Sequence, residues 1–411
     1  MHILFLTQYY PPEFGAAGIH TERIARLLME EGHQITLLTG LPNYPTGIVP
    51  PEYRGHFLHR ETRDGVDIRR IWVYTSPSKS AKARLANQIS FMFMTALRGT
   101  FLPRPDVILV ESHPLFVCIA GGWLKRVKRA PVVLNVSDLW PASAVAVGAL
   151  RADSTIVKVA EKVERWAYRD ADHVVAMAEG QRQGIIPYVP EDRVTLIQAG
   201  TDLTRFRPKS QTQDARRAAR ERFGIGMDEF VIAHIGNMSL AHDFELIMDV
   251  VKAMPEQRFL FAGGGSQADY VNERVKQDKV SNLILTGILP HSDMPGLWAA
   301  SDICLIAFKD HAVFEGVLPT KMFESMASGT PIVAAAGGQT RLLLEKTGAG
   351  IAVPVGDRAA MIAALRRLAT SPDEYSRMSQ AGPAYADEYL SPARIKRQFL
   401  DVFNRVTQRS S

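Results

Sequence analysis

Two doubly wound α/β domains are the fold this sequence predicts, and three observations carry that expectation. The chain has 411 residues, more than one core ordinarily organises when domains run to about 150 residues. Short apolar runs alternate with longer helix-period patterns along its whole length, the mark of parallel strands joined by crossover helices. After Arg207-Pro208 a polar stretch, Lys209 to Arg222, interrupts the pattern before it restarts at Phe230, which places the boundary between domains 1–207 and 208–388.

Each element follows from local pattern. In the first domain, strands are expected at His2–Thr7, Gln34–Leu38, Val66–Tyr74, Asp106–Glu111, Val132–Val136, Val174–Ala178 and Val194–Gln198. Helix patterns lie between them around Ile19–Glu31, Leu115–Lys128 and Thr155–Tyr168, and Gly32 supplies a left-handed stop to the first. The second domain repeats the logic, with strands at Phe230–Ile235, Phe259–Ala262, Leu283–Thr286, Ile303–Ala307, Pro331–Ala335 and Ile351–Pro354. Within residues 389–411, Ile395, Phe399, Val402, Phe403 and Val406 share one face of a last helix, Pro392–Val406.

Composition excludes several classes. Hydrophobic residues make up 46% and charged residues 22%, ordinary globular usage that argues against disorder and fibrous repeats. Cys118 and Cys304 both sit in apolar runs without paired Cys/His spacing. They read as packed core thiols of a cytoplasmic protein, not as a disulfide framework or a structural zinc site. No apolar run approaches the roughly 18 residues of a membrane helix. Met1 to Thr7 lacks a cationic flank and a cleavage site, so it reads as a buried strand. The net charge of +5 comes without basic stripes interleaved with aromatics, so no nucleic-acid partner is expected. Anionic small molecules and acidic lipid headgroups stay open.

Ligands of open parallel sheets bind beyond the carboxyl ends of strands, where loops enter helix N-termini. The first strand runs into Gly15-Ala16-Ala17-Gly18, whose spacing is not the dinucleotide fingerprint. Gly15 and Gly18 either admit a ligand to the backbone or serve turn geometry alone. In the second domain, Leu318-Pro319-Thr320-Lys321 opens a helix with free N–H groups and a nearby cation, a combination suited to a diphosphate. Glu324, one turn on, either accepts ribose hydroxyls or pairs with Lys321 at the surface. Gly264, within Gly263-Gly264-Gly265, marks a second small-residue opening. Asp170-Ala171-Asp172 mimics a D-x-D metal motif but precedes a strand, so it reads as a helix end and a solvated turn.

Several segments together resemble one family. They are Tyr9-Tyr10-Pro11-Pro12-Glu13, Gly32-His33, Pro42-Asn43-Tyr44-Pro45-Thr46-Gly47, Asp138-Leu139-Trp140-Pro141 with Ser143-Ala144, and Val317 to Glu324 with Ala327 and Gly329. The chain resembles the family 4 glycosyltransferases, retaining two-domain sugar transferases of the GT-B fold. Within them it is most similar to bacterial members that build O-antigen, colanic-acid and related surface polysaccharides. The resemblance implies two Rossmann-like domains facing a central cleft, with the last helix, residues 389–411, crossing back to the first. It implies a nucleotide-sugar donor held by the second domain, an acceptor held by the first, and no metal or other cofactor. Carried over, Leu318 to Thr320 meet the donor diphosphate, Glu324 the ribose, and Gly287-Ile288-Leu289 the base.

Two departures from the family pattern shape the site assignment. Eight positions before Glu324 stands Gly316, with Glu315 one place off, so Glu315 is the candidate for the first acid of the motif. The family's Arg and Lys after the second domain's first strand are replaced by Gly236-Asn237-Met238-Ser239-Leu240-Ala241-His242. Lys321 is the expected substitute, with Asn237 and His242 beside it. In the first domain, His113 and Asp138 at strand ends are the candidates to contact the reacting sugars, with Glu315 completing the catalytic set. Retaining members of this fold are thought to let the leaving diphosphate deprotonate the incoming hydroxyl, which makes stabilising that diphosphate the main electrostatic task.

The stretch 79–104 carries Lys79, Lys82, Arg84, Arg98 and Arg104 and no acid among Leu85, Ile89, Phe91, Met92, Phe93 and Leu97 in its helical part; residues 125–129 add Lys125, Arg126, Lys128 and Arg129. Both clusters suit a peripheral anionic membrane contact at the inner face of the cell membrane, or an ordinary solvated helix face. The expected function is therefore transfer from a UDP-linked sugar to a polyprenyl-diphosphate-linked saccharide. A soluble acceptor, a sugar-nucleotide 2-epimerase and a non-catalytic sugar-nucleotide binder are the alternatives.

Overall fold

The structure, a computed structural model, describes residues 1–13, 16–78 and 80–408. Chain contacts divide it into two compact units, Met1–Ala199 with Ala393–Ser411, and Gly200–Pro392.

Among the described residues of the first unit, the strands are β1 (His2–Leu6), β2 (Gln34–Gly40), β3 (Leu58–Arg63), β4 (Val66–Ile71), β5 (Val107–Glu111), β6 (Val132–Val136), β7 (His173–Ala176) and β8 (Val194–Leu196). They form one sheet in the order β3-β4-β2-β1-β5-β6-β7-β8. Every pair is parallel except β3 against β4. Side chains of β1 alternate between the faces, as period-2 geometry requires. Leu4 and Leu6 enter a core with Phe91, Leu124 and Ala160 of the helices Ala81–Thr100, Val117–Lys128 and Thr155–Asp170. Ile3 and Phe5 enter the opposite core with Ile24 and Leu28 of the helix Ala16–Met29. Ile395, Phe399, Val402, Phe403 and Val406 of the helix Pro392–Gln408 complete that second core.

β3 is absent from the sequence reading. Its sequence, Leu-His-Arg-Glu-Thr-Arg, buries no residue fully and sits at the sheet edge, so no apolar alternation betrays it. Cross-strand charge pairs hold it instead, Arg60 to Asp67 at 2.9 Å and Glu61 to Arg70 at 2.6 Å.

The second unit contains β9 (Val231–Ile235), β10 (Arg258–Ala262), β11 (Leu283–Gly287), β12 (Ile303–Ala307), β13 (Ile332–Ala335) and β14 (Gly350–Val353) among its described residues. All pair in parallel in the order β11-β10-β9-β12-β13-β14. Numbered from β9, this is the 3-2-1-4-5-6 order of doubly wound nucleotide folds, whose ligand crevice opens where the order reverses, here between β9 and β12.

The polar stretch read as the boundary belongs to this unit and is structural. Within it the helix Gln213–Arg222 is anchored by Asp302, just before β12. Asp302 receives Lys209 at 3.1 Å, Arg216 at 3.0 Å and Arg220 at 2.8 Å. The two units divide at 199/200, eight residues before the expected start of the second domain at 208.

Candidate active site

At the carboxyl end of β9 the chain turns through Gly236, at φ 121°. A Cβ on Gly236 would lie 3.4 Å from Lys321 Cε and 3.8 Å from its Nζ. The loop after β10 interlocks with this turn. Met238 N–H donates to Gly264 O at 2.7 Å, and Gln267 N–H donates to Met238 O at 2.9 Å. Gly263 sits at φ 136°, where a side chain would run into Gly236 O. Asn237 packs against Gly265, and Ile288 against Gly264. Asn237, Gly264 and Lys321 thus meet at one place, with the Ile288-Leu289 segment at its border.

Pro319 precedes the helix Thr320–Ala327, and no side chain caps its N-terminus. Its first N–H groups therefore remain donors for an anion. Lys321 is buried, not at the surface. Its Nζ lies 2.9 Å from His234 Nε2 and 3.5 Å from His242 Nε2. Burial lowers its pKa to about 8, partly opposed by Cys304 and Glu324. Burial and the lysine's charge hold both imidazoles well below their ordinary pKa, so they are neutral acceptors.

The surface ion pair between Lys321 and Glu324 does not form. The lysine turns inward to the histidines, and Glu324 Oε2 accepts the Trp298 indole N–H at 3.1 Å. Glu315 is exposed on the short turn Ala312–Gly316, its backbone against Gly338 after β13. Leu318 lies on the same approach to the helix, where Thr340 Oγ1 donates to Val317 O at 2.8 Å. His234 escaped the sequence reading. Its only signal is a histidine inside the apolar strand Val231–Ile235.

In the first unit the strand order reverses between β1 and β5. Tyr9, after β1, stacks on His113, after β5, with ring centroids 6.1 Å apart. Burial lowers the His113 pKa, and the Asp138 carboxylate pushes it back up. Asp138 Oδ2 accepts the Ser143 hydroxyl at 2.6 Å. Glu13 Oε1 accepts the N–H groups of Asn43 and Tyr44, each at 2.8 Å, while burial raises its carboxyl to about 7. Below them Glu111, also raised to about 7 by burial, accepts the Asn135 amide at 2.6 Å. Gly18 is buried in the helix Ala16–Met29, and Gly15 lies outside the described residues.

Asp170 and Asp172 are less solvated than expected. Arg126 pairs with Asp170, and Lys125 reaches Asp172 at 2.9 Å. Asp172 also accepts Val132 N–H at 2.8 Å.

Residues 15–200 match the family described as Glycosyl transferase 4-like domain, and residues 229–371 match Glycosyl transferases group 1. The chain is a family 4 glycosyltransferase. A relative named as a colanic acid biosynthesis glycosyl transferase, WcaI of Escherichia coli, is 23% identical over 98% of this chain and 99% of its own. The 2-deoxystreptamine N-acetyl-D-glucosaminyltransferase of Streptomyces fradiae is 25% identical over 88% and 86%. Among solved structures, Anabaena HepE in complex with UDP superposes with a TM-score of 0.73 at 16% identity, over 98% of this glycosyltransferase and 100% of that chain. That likeness establishes the GT-B architecture. The sequence expectations of family and fold class therefore stand.

Proposed function

We propose that this glycosyltransferase moves a sugar, with retention and without a metal, from a UDP-linked donor onto a lipid-linked saccharide during surface polysaccharide assembly. The observation that carries the reading is the convergence of Gly236, Gly264, Lys321 and the uncapped Thr320–Ala327 N-terminus at the strand-order reversal. A diphosphate there meets backbone donors and one buried cation, the electrostatics a departing nucleotide needs. In this reading Glu324 binds the ribose and Glu315 faces the donor sugar. His113 and Asp138 serve the first unit's side of the reaction, with His113 neutral and able to accept or donate one hydrogen bond. HepE bound to UDP and a relative named for colanic acid support this donor and acceptor class.

Thermal unfolding with UDP, GDP, ADP and TDP in EDTA tests the proposal. UDP at about 100 times its dissociation constant should stabilise the unit that binds it by about 2.7 kcal/mol. No shift with any nucleotide would remove the donor assignment. A shift only after divalent metal is restored would remove its metal independence. The relative named for 2-deoxystreptamine favours a second reading, a soluble acceptor. Product formation that requires an added acceptor separates both transfer readings from epimerisation.

The same proposal places the enzyme at the cytoplasmic face of an anionic membrane, although the cations at 125–129 carry less of that contact than expected. Lys128 donates to Thr100 O at 2.6 Å and also to Leu102 O, while Lys125 and Arg126 are paired with Asp172 and Asp170. The support lies in an apolar face. Phe93, Leu97 and Phe101 are exposed at four-residue spacing along and just past the helix Ala81–Thr100. Ile119, Trp123 and Val127 are exposed at the same spacing on the helix Val117–Lys128. Neither helix contains an acid, which suits insertion of its apolar face among acidic headgroups. No helix of the described residues is long and apolar enough to cross a membrane.

A further inference from the structure

Lys321 is a buried cation whose hydrogen-bond partners are neutral. An ammonium has three N–H donors. One reaches His234 Nε2, a second and longer one reaches His242 Nε2, and no ion pair forms at its Nζ among the described residues. An ammonium can only donate, so each Nε2 that meets Lys321 accepts, which leaves the ring hydrogen on Nδ1. His234 Nδ1 lies 3.2 Å from Leu305 O, and His242 Nδ1 lies 3.0 Å from the Ser239 hydroxyl. Phe244 packs edge-on to both rings, 5.0 Å from His234 and 6.1 Å from His242, which limits their movement.

The remaining titratable groups near Lys321 are Cys304 on β12 and Glu324 on its own helix. Burial pushes the Cys304 thiol up to about 12, so it stays neutral, and Glu324 is engaged with Trp298. A carboxylate in place of the imidazoles would cancel the ammonium's charge and compete with an incoming anion. Two neutral imidazoles solvate it and leave the charge uncancelled. Gly236 lies beside the ammonium, where a Cβ would come within 3.8 Å of Nζ, so glycine keeps that side clear of a side chain.

We infer that His234 and His242 are positioning residues that hold Lys321 as the counter-charge of the donor diphosphate, in place of the family's cation pair, and that donor binding there takes up a proton in alkaline solution. This inference rests on the reading that the second unit binds a nucleoside diphosphate. The sign follows from linkage. Free Lys321 titrates near pH 8, and a neighbouring diphosphate favours its charged form, so the bound state holds more protons than the free state. Affinity is highest below pH 8 and is lost as pH rises.

The test is the UDP dissociation constant of the full chain by calorimetry between pH 7 and 9. Wild type should weaken about tenfold over that range, the change in a cation's population on either side of its pKa. Its binding heat at pH 8.5 should depend on the buffer's ionisation enthalpy. Lys321→Arg should lose this slope, because a guanidinium does not titrate there. His234→Leu should weaken binding at pH 7 and move the fall to lower pH, whereas His234→Gln, which offers an amide oxygen, should recover the profile. If His234→Leu does not fold, His242→Leu and His242→Gln make the same comparison. A wild-type affinity flat from pH 7 to 9, or a folded His→Leu variant with the wild-type profile, overturns the inference and leaves the donor assignment standing. Failure of every nucleotide to bind wild type at any pH removes the donor assignment itself, and the inference with it.

Discussion

Buried carboxylates of the two units respond to pH in opposite directions, and the cause lies in their partners. Asp302 faces three cations and the Val231 N–H, which lower its pKa despite burial. Its stabilising contribution is complete above about pH 4, where an unfolded aspartate is already ionised, and is lost as pH falls through the lower native value. Glu111 has an amide, not a cation, as its bonded partner, and burial raises it from 4.5 to about 7. The native chain therefore holds a proton that the unfolded chain releases, and stability falls as pH rises through that window. At about 1.4 kcal/mol per pKa unit the full loss is roughly 3–4 kcal/mol. Glu111→Gln keeps the contact with Asn135 and removes the titration. Unfolding of the first unit from pH 5 to 8 should decline in wild type and flatten in this variant; an unchanged slope would discard the assignment to Glu111. Neither environment is legible in one dimension, since the cations around Asp302 lie 82 to 93 residues away.

At the scale of elements, the helices read well and their exposed faces read poorly. Gly32 closes the first helix at φ 75°, the left-handed geometry expected of it. The helix Ala81–Thr100 is capped by Ser80, whose hydroxyl accepts the Ala83 N–H at 3.3 Å. The sequence reading grouped its aromatics as one cluster, but Phe91 is buried while Phe93 is 65% exposed. Only the packing of this helix on the sheet and on Val117–Lys128 separates the two. Replacing Phe93, Phe101 and Trp123 together by Ser should reduce flotation with vesicles of acidic phospholipid at least tenfold, and spare UDP binding. Flotation equal to wild type would eliminate this face as the lipid contact. Equal flotation with neutral vesicles would eliminate the role of charge.

Across the whole molecule, the last helix contributes to a core formed by residues far earlier in the chain. Phe399 and Phe403 are buried with Ile3, Phe5 and Leu28. Phe403→Ala should cost the first unit about 3–5 kcal/mol, the usual loss for a buried aromatic truncated to Ala. The second unit should keep its own transition and its UDP-induced shift. A loss confined to the second unit's transition would contradict the core assignment.

The sequence by itself determined the number of doubly wound domains, nearly all their strands and the glycine and proline turns that end them. Periodicity and turn chemistry act over a few residues, so they survive in one dimension. Its spaced motifs also indicated the glycosyltransferase family and the strand ends worth inspecting. The tertiary structure decided which of those residues meet. It turned Lys321 inward to His234, 87 positions away, tied the polar stretch after Pro208 to Asp302, and paired Lys125 and Arg126 with aspartates. Long-range polar pairing is set by which strands lie side by side, and that order is a property of the folded sheet, not of any local stretch of chain.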